Sequence, residues 1–167
     1  MIDQQPGAYW AKWGPANSHN GVVSDPPSSR PGTTTVVSRR MARQRTRDTR
    51  PELALRRALH AGGYRYRVNL PIPGLSRQSI DIAFTRARVA VFVDGCFWHR
   101  CPTHRTEPKN NAAWWRAKLL ANEARDRVTD QHLRDAGWTV IRCWEHESPA
   151  DAYLRVALAV DAAGTGM

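Results

Sequence analysis

Side chains suited to catalysis and metal binding are concentrated in residues 89–104 of this chain, VAVFVDGCFWHRCPTH. Residues 89–93 are apolar on both faces, which is typical of a central β-strand. Asp94, Cys96 and His99 follow directly, and two large aromatic side chains separate Cys96 from His99. A carboxylate, a thiol and an imidazole are groups that hold metal ions and transfer protons. This stretch is therefore the candidate site.

Asp81 and Asp94 are candidate ligands of a catalytic Mg²⁺. Asp81 alternates with apolar residues at 80, 82 and 84, so its side chain leaves a short strand on the face opposite to theirs. Asp94 follows the next strand. Two such carboxylates, or one carboxylate with a backbone carbonyl, can hold Mg²⁺ that also binds a phosphate oxygen. The alternative is that Asp94 begins a turn and Asp81 is a solvated strand residue.

Cys96, Cys101 and His104 have the spacing C-x4-C-x2-H, which is typical of part of a zinc site. The fourth ligand is either His146, which follows a buried strand, or Cys143, which lies within it. A buried cysteine inside a strand is more often a small core residue. Four nitrogen and sulfur ligands would fill a tetrahedral Zn²⁺ and leave no water to activate, so this zinc would be structural.

His99 and Glu52 are the candidates for proton transfer. His99 is out of phase with the cysteines, so it is available to act as a general base on a water molecule. The alternative is that His99 replaces His104 on the zinc. Glu52 stands three residues after Thr49, as in a capping box. Its side chain either caps the helix or supports the metal site.

The charge pattern indicates a polyanionic partner. The net charge is +10 and the pI about 10.5, and almost all of the excess is arginine, whose planar fork pairs with phosphate. The alternative is a protein that is basic only for solubility. We expect DNA backbone contacts from a basic segment; its residues are Arg39, Arg40, Arg43, Arg45 and Arg47.

Phe97 and Trp98 are expected to be exposed, because ligand-type polar residues lie on both sides of them. Aromatic wedges of this kind enter a base step, unstack it and kink the duplex. Met41, within the basic segment, is a candidate for a second wedge from the opposite groove.

The remaining elements predict one α/β or α+β domain whose mixed central sheet is flanked by helices. We expect a disordered arm over residues 1–37, one folded domain over 38–162 and a loose tail over 163–167. The expected helices are 49–61, 112–136 and one ending near 162. The expected strands are 64–68, 80–84, 89–93 and 138–144. Loops are expected over 69–78 and 102–111.

No apolar run is long enough to cross a membrane and no signal peptide opens the chain, which favours a cytoplasmic protein.

The motif GCFWH at 95–99, with RDTRPE at 47–52 and GWTVIRCWE at 137–145, resembles the very-short-patch-repair (Vsr) DNA mismatch endonucleases. The resemblance covers about residues 38–147. It implies a fold related to the PD-(D/E)xK restriction nucleases. It also implies a monomer, associated with the nucleoid, that nicks one strand of duplex DNA 5′ to the thymine of a T:G mismatch. Mismatch-repair proteins are expected partners.

The resemblance also implies roles for single residues. Asp81 and the backbone carbonyl of Val93 would bind Mg²⁺, His99 would be the general base and Glu52 would support it. Met41, Phe97 and Trp98 would intercalate. The implied zinc ligands, by analogy, are Cys96, Cys101, His104 and His146.

Asp94 departs from the family pattern, because it stands where a histidine would assist transition-state charge. An aspartate there could bind metal or orient water, but it could not donate a proton while ionised. Two other functions remain open: a restriction-like or other DNA-repair nuclease, and a non-catalytic DNA-binding module stabilised by zinc.

Overall fold

The computed structural model describes residues 47–104, 106 and 108–164 of the chain. Within them, a four-stranded sheet is combined with three helices. In chain order these elements are α1 (Arg50–Ala61), β1 (Arg67–Ile72), β2 (Leu75–Phe84), β3 (Val89–Asp94), α2 (Ala112–Asp135), β4 (Thr139–Trp144) and α3 (Pro149–Gly164).

The sheet is mixed and has the strand order β1-β2-β3-β4. β1 pairs with β2, and β2 with β3, in antiparallel orientation. β4 runs parallel to β3, with Val93 beside Cys143 and Asp94 beside Trp144. A parallel neighbour requires a crossover connection, and the long helix α2 supplies it. This confirms the predicted mixed sheet flanked by helices in an α+β domain.

The core lies on both faces of the sheet, so the domain has three layers. On one face, Leu59 of α1 and Val156 of α3 pack against a cluster that includes Ile82 and Val91. On the other face, Leu133 of α2 packs in a cluster that includes Phe92. β3 therefore has apolar neighbours on both sides, which explains why its sequence is a continuous apolar run rather than an alternating one.

The hairpin between β1 and β2 corrects the sequence prediction. We expected a strand at 64–68 and a loop at 69–78, but β1 and β2 occupy most of that loop and turn at Pro73 and Gly74. Gly74 has a φ of +80°, which glycine adopts without strain. Pro71 looked like a loop residue, yet β1 is an edge strand, where proline is tolerated.

The C-terminal end of the domain also differs from the sequence prediction. The last helix continues to Gly164, so residues 163 and 164 are helical and not part of a loose tail. The expected arm, residues 1–37, lies outside the described residues, as do residues 165–167. Helix α1 runs from Arg50 to Ala61, one residue shorter at its start than the predicted 49–61, with Thr49 and Gly62 as its caps.

Candidate active site and metal centre

The candidate site forms where β3 and β4 end side by side. Because the two strands are parallel, the loops that follow them leave the same edge of the sheet. The backbone N–H of Glu145 donates to the carbonyl of Asp94 at 2.9 Å. The carboxylate of Glu145 accepts from the backbone N–H of Cys96 at 2.7 Å. These two bonds join the loop that begins at Gly95 to the loop that carries His146.

Four metal-ligand side chains meet between these loops: Cys96, Cys101, His104 and His146. Their ligand atoms all lie within 4.8 Å of one another. The sulfur of Cys96 is 3.1 Å from Nδ1 of His146, and the sulfur of Cys101 is 3.9 Å from Nδ1 of His104. Zinc bonds of about 2.0–2.3 Å in a tetrahedron require ligand separations of about 3.3–3.8 Å. Both the donor set and its spacing therefore fit a tetrahedral metal such as Zn²⁺.

The ionisation of Cys101 also suits a metal ligand. Burial alone would raise the pKa of its thiol, but the backbone N–H groups of His104 and Thr103 and the His104 ring lower it to about 7. Burial, followed by the neighbouring Cys101, raises the pKa of the Cys96 thiol to about 11, and burial raises the pKa of the Cys143 thiol to the same value. Cys143 therefore differs by its position, because its side chain packs in the core. Of the two candidates for the fourth position, His146 lies in the cluster and Cys143 does not.

Asp81 lies on β2, beside the end of β3. The backbone N–H of Val93 donates to its Oδ2 at 2.9 Å. Burial raises the pKa of Asp81 to about 6, and the negative charges of Glu52 and Asp94 add to this, although the Val93 N–H opposes it. Carboxylates that repel one another in a buried setting are stabilised by a divalent cation. The carboxylate of Asp81 is a donor of the type that Mg²⁺ takes in proteins.

Glu52 is buried at the start of α1 and serves the helix as well as the site. Its Oε2 accepts from the backbone N–H of Thr49 at 3.3 Å, and its Oε1 is paired with Arg56. Arg56 also reaches Asp48 at 2.6 Å. The capping contact is thus present, while the charge of Glu52 still acts on Asp81. Arg56 could not be singled out from the sequence, because it was one of many arginines.

His99 is held by helix α2 and not by the metal cluster. Its Nδ1 lies 2.5 Å from Oδ2 of Asp126 and 3.7 Å from Oδ1 of Asp94. Burial alone would lower the pKa of the imidazole, but the bond to Asp126 and the charges of both carboxylates raise it. With Nδ1 engaged, Nε2 is the ring nitrogen that can accept a proton.

Asp94 is engaged by an arginine that the sequence had placed in a buried strand without a role. Nη1 of Arg142 lies 2.9 and 2.8 Å from the two oxygens of Asp94. Arg142 also contacts Asp126 and Asp130 on α2. Asp94 is therefore one member of an ion-pair network, with both of its carboxylate oxygens held by Arg142.

Phe97 and Trp98 are half-buried against an aromatic cluster rather than fully exposed. Phe97 lies 5.1 Å from Trp115 between ring centroids, and Trp98 lies 5.8 Å from the same ring. Asn122 donates to the carbonyl of Trp98 at 3.1 Å. Helix α2 thus supports the pair from behind. Sequence reasoning missed Trp115, although two adjacent tryptophans near the start of a charged helix were a usable signal.

The predicted DNA-contacting segment is described only at its end. Arg47 is exposed. Met41, Arg39, Arg40, Arg43 and Arg45 lie outside the described residues.

The chain is similar in sequence to a known protein family and to several individual proteins. A model of the family described as DNA mismatch endonuclease Vsr matches residues 33–105. The chain is 48% identical over 126 residues to the type II nicking enzyme V.NaeI of Lentzea aerocolonigenes, and the matched region covers 74% of each chain. It is 39% identical over 110 residues to the type II nicking enzyme V.XorIIP of Xanthomonas oryzae, covering 64% of this chain and 77% of that one.

A third relative is the DNA mismatch endonuclease Vsr of Escherichia coli. It is 33% identical over 116 residues, which are 65% of this chain and 68% of that one. These relatives define a class, the DNA endonucleases. Within that class, the chain belongs to the Vsr family, which confirms the resemblance seen in the sequence. Among the described residues, no helix has the length and apolar character needed to cross a membrane.

Proposed function

We propose that this protein nicks one strand of duplex DNA on the 5′ side of the thymine in a T:G mismatch, in very-short-patch repair. Membership of the Vsr family supports the substrate class. The observation that carries the proposal is that two groups lie beside the end of β3: Asp81, which accepts from the backbone N–H of Val93, and His99, whose Nδ1 is 3.7 Å from Asp94. A nuclease needs a carboxylate for a metal and a base for water at one point.

The roles follow from the positions of these groups. Asp81 and the backbone carbonyl of Val93 would hold Mg²⁺, which when bound polarises the scissile phosphate. Nε2 of His99 takes a proton from the attacking water, whose oxygen forms a bond to phosphorus as the bond to the leaving oxygen breaks. Asp126 orients the ring through Nδ1. Glu52, whose negative charge acts on Asp81 from α1, supports the base in the role that the family resemblance implies.

Zn²⁺ has a structural role in this proposal. The four ligands Cys96, Cys101, His104 and His146 fill a tetrahedral ion and leave no position for water. Cys96 precedes and Cys101 follows the segment that contains Phe97, Trp98 and His99. A bound zinc would therefore fix the loop that presents the aromatic wedge and the base to DNA.

The remaining parts of the proposal concern the molecule as a whole. The basic segment contacts the DNA backbone, and Met41 enters the base stack opposite Phe97 and Trp98. The enzyme acts as a monomer in the cytoplasm, associated with the nucleoid and with mismatch-repair proteins. Its domain, residues 38–162, has a restriction-endonuclease-like fold.

The proposal is tested with matched duplexes that differ only in one base pair, T:G or T:A, incubated with the zinc-loaded protein and Mg²⁺. We expect a single nick 5′ to the mismatched thymine, lost when Mg²⁺ is omitted and lost in Asp81→Asn. Equal nicking of both duplexes would indicate a nuclease of other specificity. Tight binding without a nick, unchanged in Asp81→Asn, would indicate a DNA-binding module and contradict the proposal.

A further inference from the structure

Arg142 makes an unusual set of contacts for a residue in the middle of a strand. Its side chain is 20% exposed and its guanidinium carbon lies 4.8 Å from the ring centre of Phe92. Nη1 reaches both oxygens of Asp94, while Nε and Nη2 reach Oδ1 of Asp130 at 3.1 and 2.9 Å. Nη2 also lies 3.4 Å from Oδ1 of Asp126. One guanidinium thus connects the end of β3 to two successive turns of α2.

The geometry requires an arginine rather than any cation. The three carboxylates are divided among the nitrogens of the guanidinium, whose fork presents five N–H groups: Nη1 faces Asp94, Nε and Nη2 face Asp130, and Nη2 also lies near Asp126. A lysine ammonium would supply the charge but not three fixed directions. Without a cation here, the three carboxylates would repel one another, and two of them, Asp94 and Asp126, lie beside His99.

Asp126 divides its two oxygens between Arg142 and His99. Oδ1 faces Nη2 of Arg142, and Oδ2 faces Nδ1 of His99. Asp94, the other carboxylate near Nδ1, is held by Nη1 of the same arginine. Arg142 therefore contacts both carboxylates that face Nδ1 of His99.

We infer that Arg142 is a positioning residue for the hydrolysis: by fixing Asp126 and Asp94, it holds His99 with Nδ1 protonated and Nε2 free to accept a proton. This inference rests on the proposed function, in which His99 is the base. The competing explanation is that Arg142 only joins β4 to α2 and affects stability alone.

Two variants and one control separate these explanations. Arg142→Gln removes the charge, and Arg142→Lys keeps the charge but loses the fork. The control is Arg134→Gln, because Arg134 also pairs with Asp130, at 3.5 Å, but its side chain is 54% exposed. For each zinc-loaded protein, we would measure the single-turnover nicking rate at saturating enzyme, the Kd for the T:G duplex and the Tm.

We expect Arg142→Lys to nick about 10–100-fold more slowly, as is usual when a supporting contact of a functional histidine is lost. The Kd of Arg142→Lys for the T:G duplex should change less than about 3-fold. Arg142→Gln should nick no faster than Arg142→Lys. Arg134→Gln should nick at the wild-type rate. A lower Tm in Arg142→Lys with an unchanged nicking rate would overturn the inference.

A second readout does not depend on nicking. Imidazole ¹⁵N shifts, with the His99 signal assigned by its loss in His99→Gln, report which ring nitrogen carries the proton at alkaline pH. We expect one tautomer, protonated at Nδ1, in the wild type and in Arg134→Gln, and a mixture in Arg142→Lys. An unchanged tautomer in that variant would overturn the inference. If the wild type fails to nick T:G DNA, the proposed function fails, and these shifts still decide whether Arg142 holds His99.

Discussion

At the scale of single residues, the site depends on how His99 is held. Asp126 engages Nδ1 at 2.5 Å, and Asp94 lies 3.7 Å from the same atom. A histidine whose Nδ1 is fixed by a carboxylate presents Nε2 in one direction and one protonation state. This arrangement suits a general base more than a zinc ligand, because the four ligand side chains of the metal cluster meet without His99.

Replacing His99 by alanine tests the base directly. We expect His99→Ala to lower the single-turnover nicking rate by about 10²–10⁴-fold, which is the usual contribution of general-base catalysis. The Kd for the T:G duplex should stay within about 3-fold of wild type. The matched control is His60→Ala, since His60 is an exposed histidine at the end of α1. Retained cleavage in His99→Ala would remove this residue from the base role.

Residue types alone revealed the cysteines, histidines and Asp81, because ligands close together in the chain form a visible pattern. The ion pair between Asp94 and Arg142 joins residues 48 positions apart. It depends on the parallel register of β3 and β4, which no local pattern encodes. Asp126 was similarly hidden, since one acidic residue on a charged helix face has no distinguishing neighbour in the sequence.

At the scale of elements, two parallel strand ends and one long helix build the site. Strand β3 was predictable from its continuous apolar run, and α2 from its length and the glycine that follows it. The β1–β2 hairpin was not, because Pro71 and Gly74 are turn-type residues that here lie on an edge strand and in a two-residue turn. Local propensity was overridden by pairing with the rest of the sheet.

A metal held by Cys96, Cys101, His104 and His146 would clamp the loop after β3 to the loop after β4, so its loss should loosen both. We expect about one zinc per chain in the purified protein. His146→Ala should lower the zinc content and reduce the Tm by roughly 10 °C, since a bound structural metal contributes several kcal/mol of folding free energy.

The control for the metal clamp is Cys143→Ala, because Cys143 is buried in the core and lies outside the ligand cluster. That variant should lose some stability through the cavity it leaves but keep one zinc per chain. Zinc retained at full content in His146→Ala would contradict the assigned ligand set, as would zinc lost in Cys143→Ala. Colorimetric zinc release and thermal melts measure both quantities.

At the scale of the whole molecule, the net charge of +10 decides how the enzyme finds DNA. A basic protein gains affinity by releasing the counterions of the phosphates it contacts, so its binding weakens steeply with salt. The zinc cluster and the network around Arg142 are internal, and their contacts are short-range. Salt should therefore act on binding and leave the chemical step almost unchanged.

We expect the Kd for the T:G duplex to weaken about 10³-fold or more between 50 and 200 mM salt, as is typical of 6–10 phosphate contacts. The nicking rate at saturating enzyme should change less than about 3-fold. Arg47→Gln should reduce the slope of log K against log salt by about 1, because each phosphate contact contributes nearly that amount.

Arg65→Gln is the matched control for this slope. Arg65 is exposed like Arg47, but its guanidinium donates to the backbone carbonyl of Tyr64 at 3.0 Å. If the DNA backbone contacts belong to the basic segment that ends at Arg47, Arg65→Gln should leave the slope unchanged. Equal losses of slope in both variants would mean that positive charge anywhere on the surface serves equally well, and the segment would lose its assigned role.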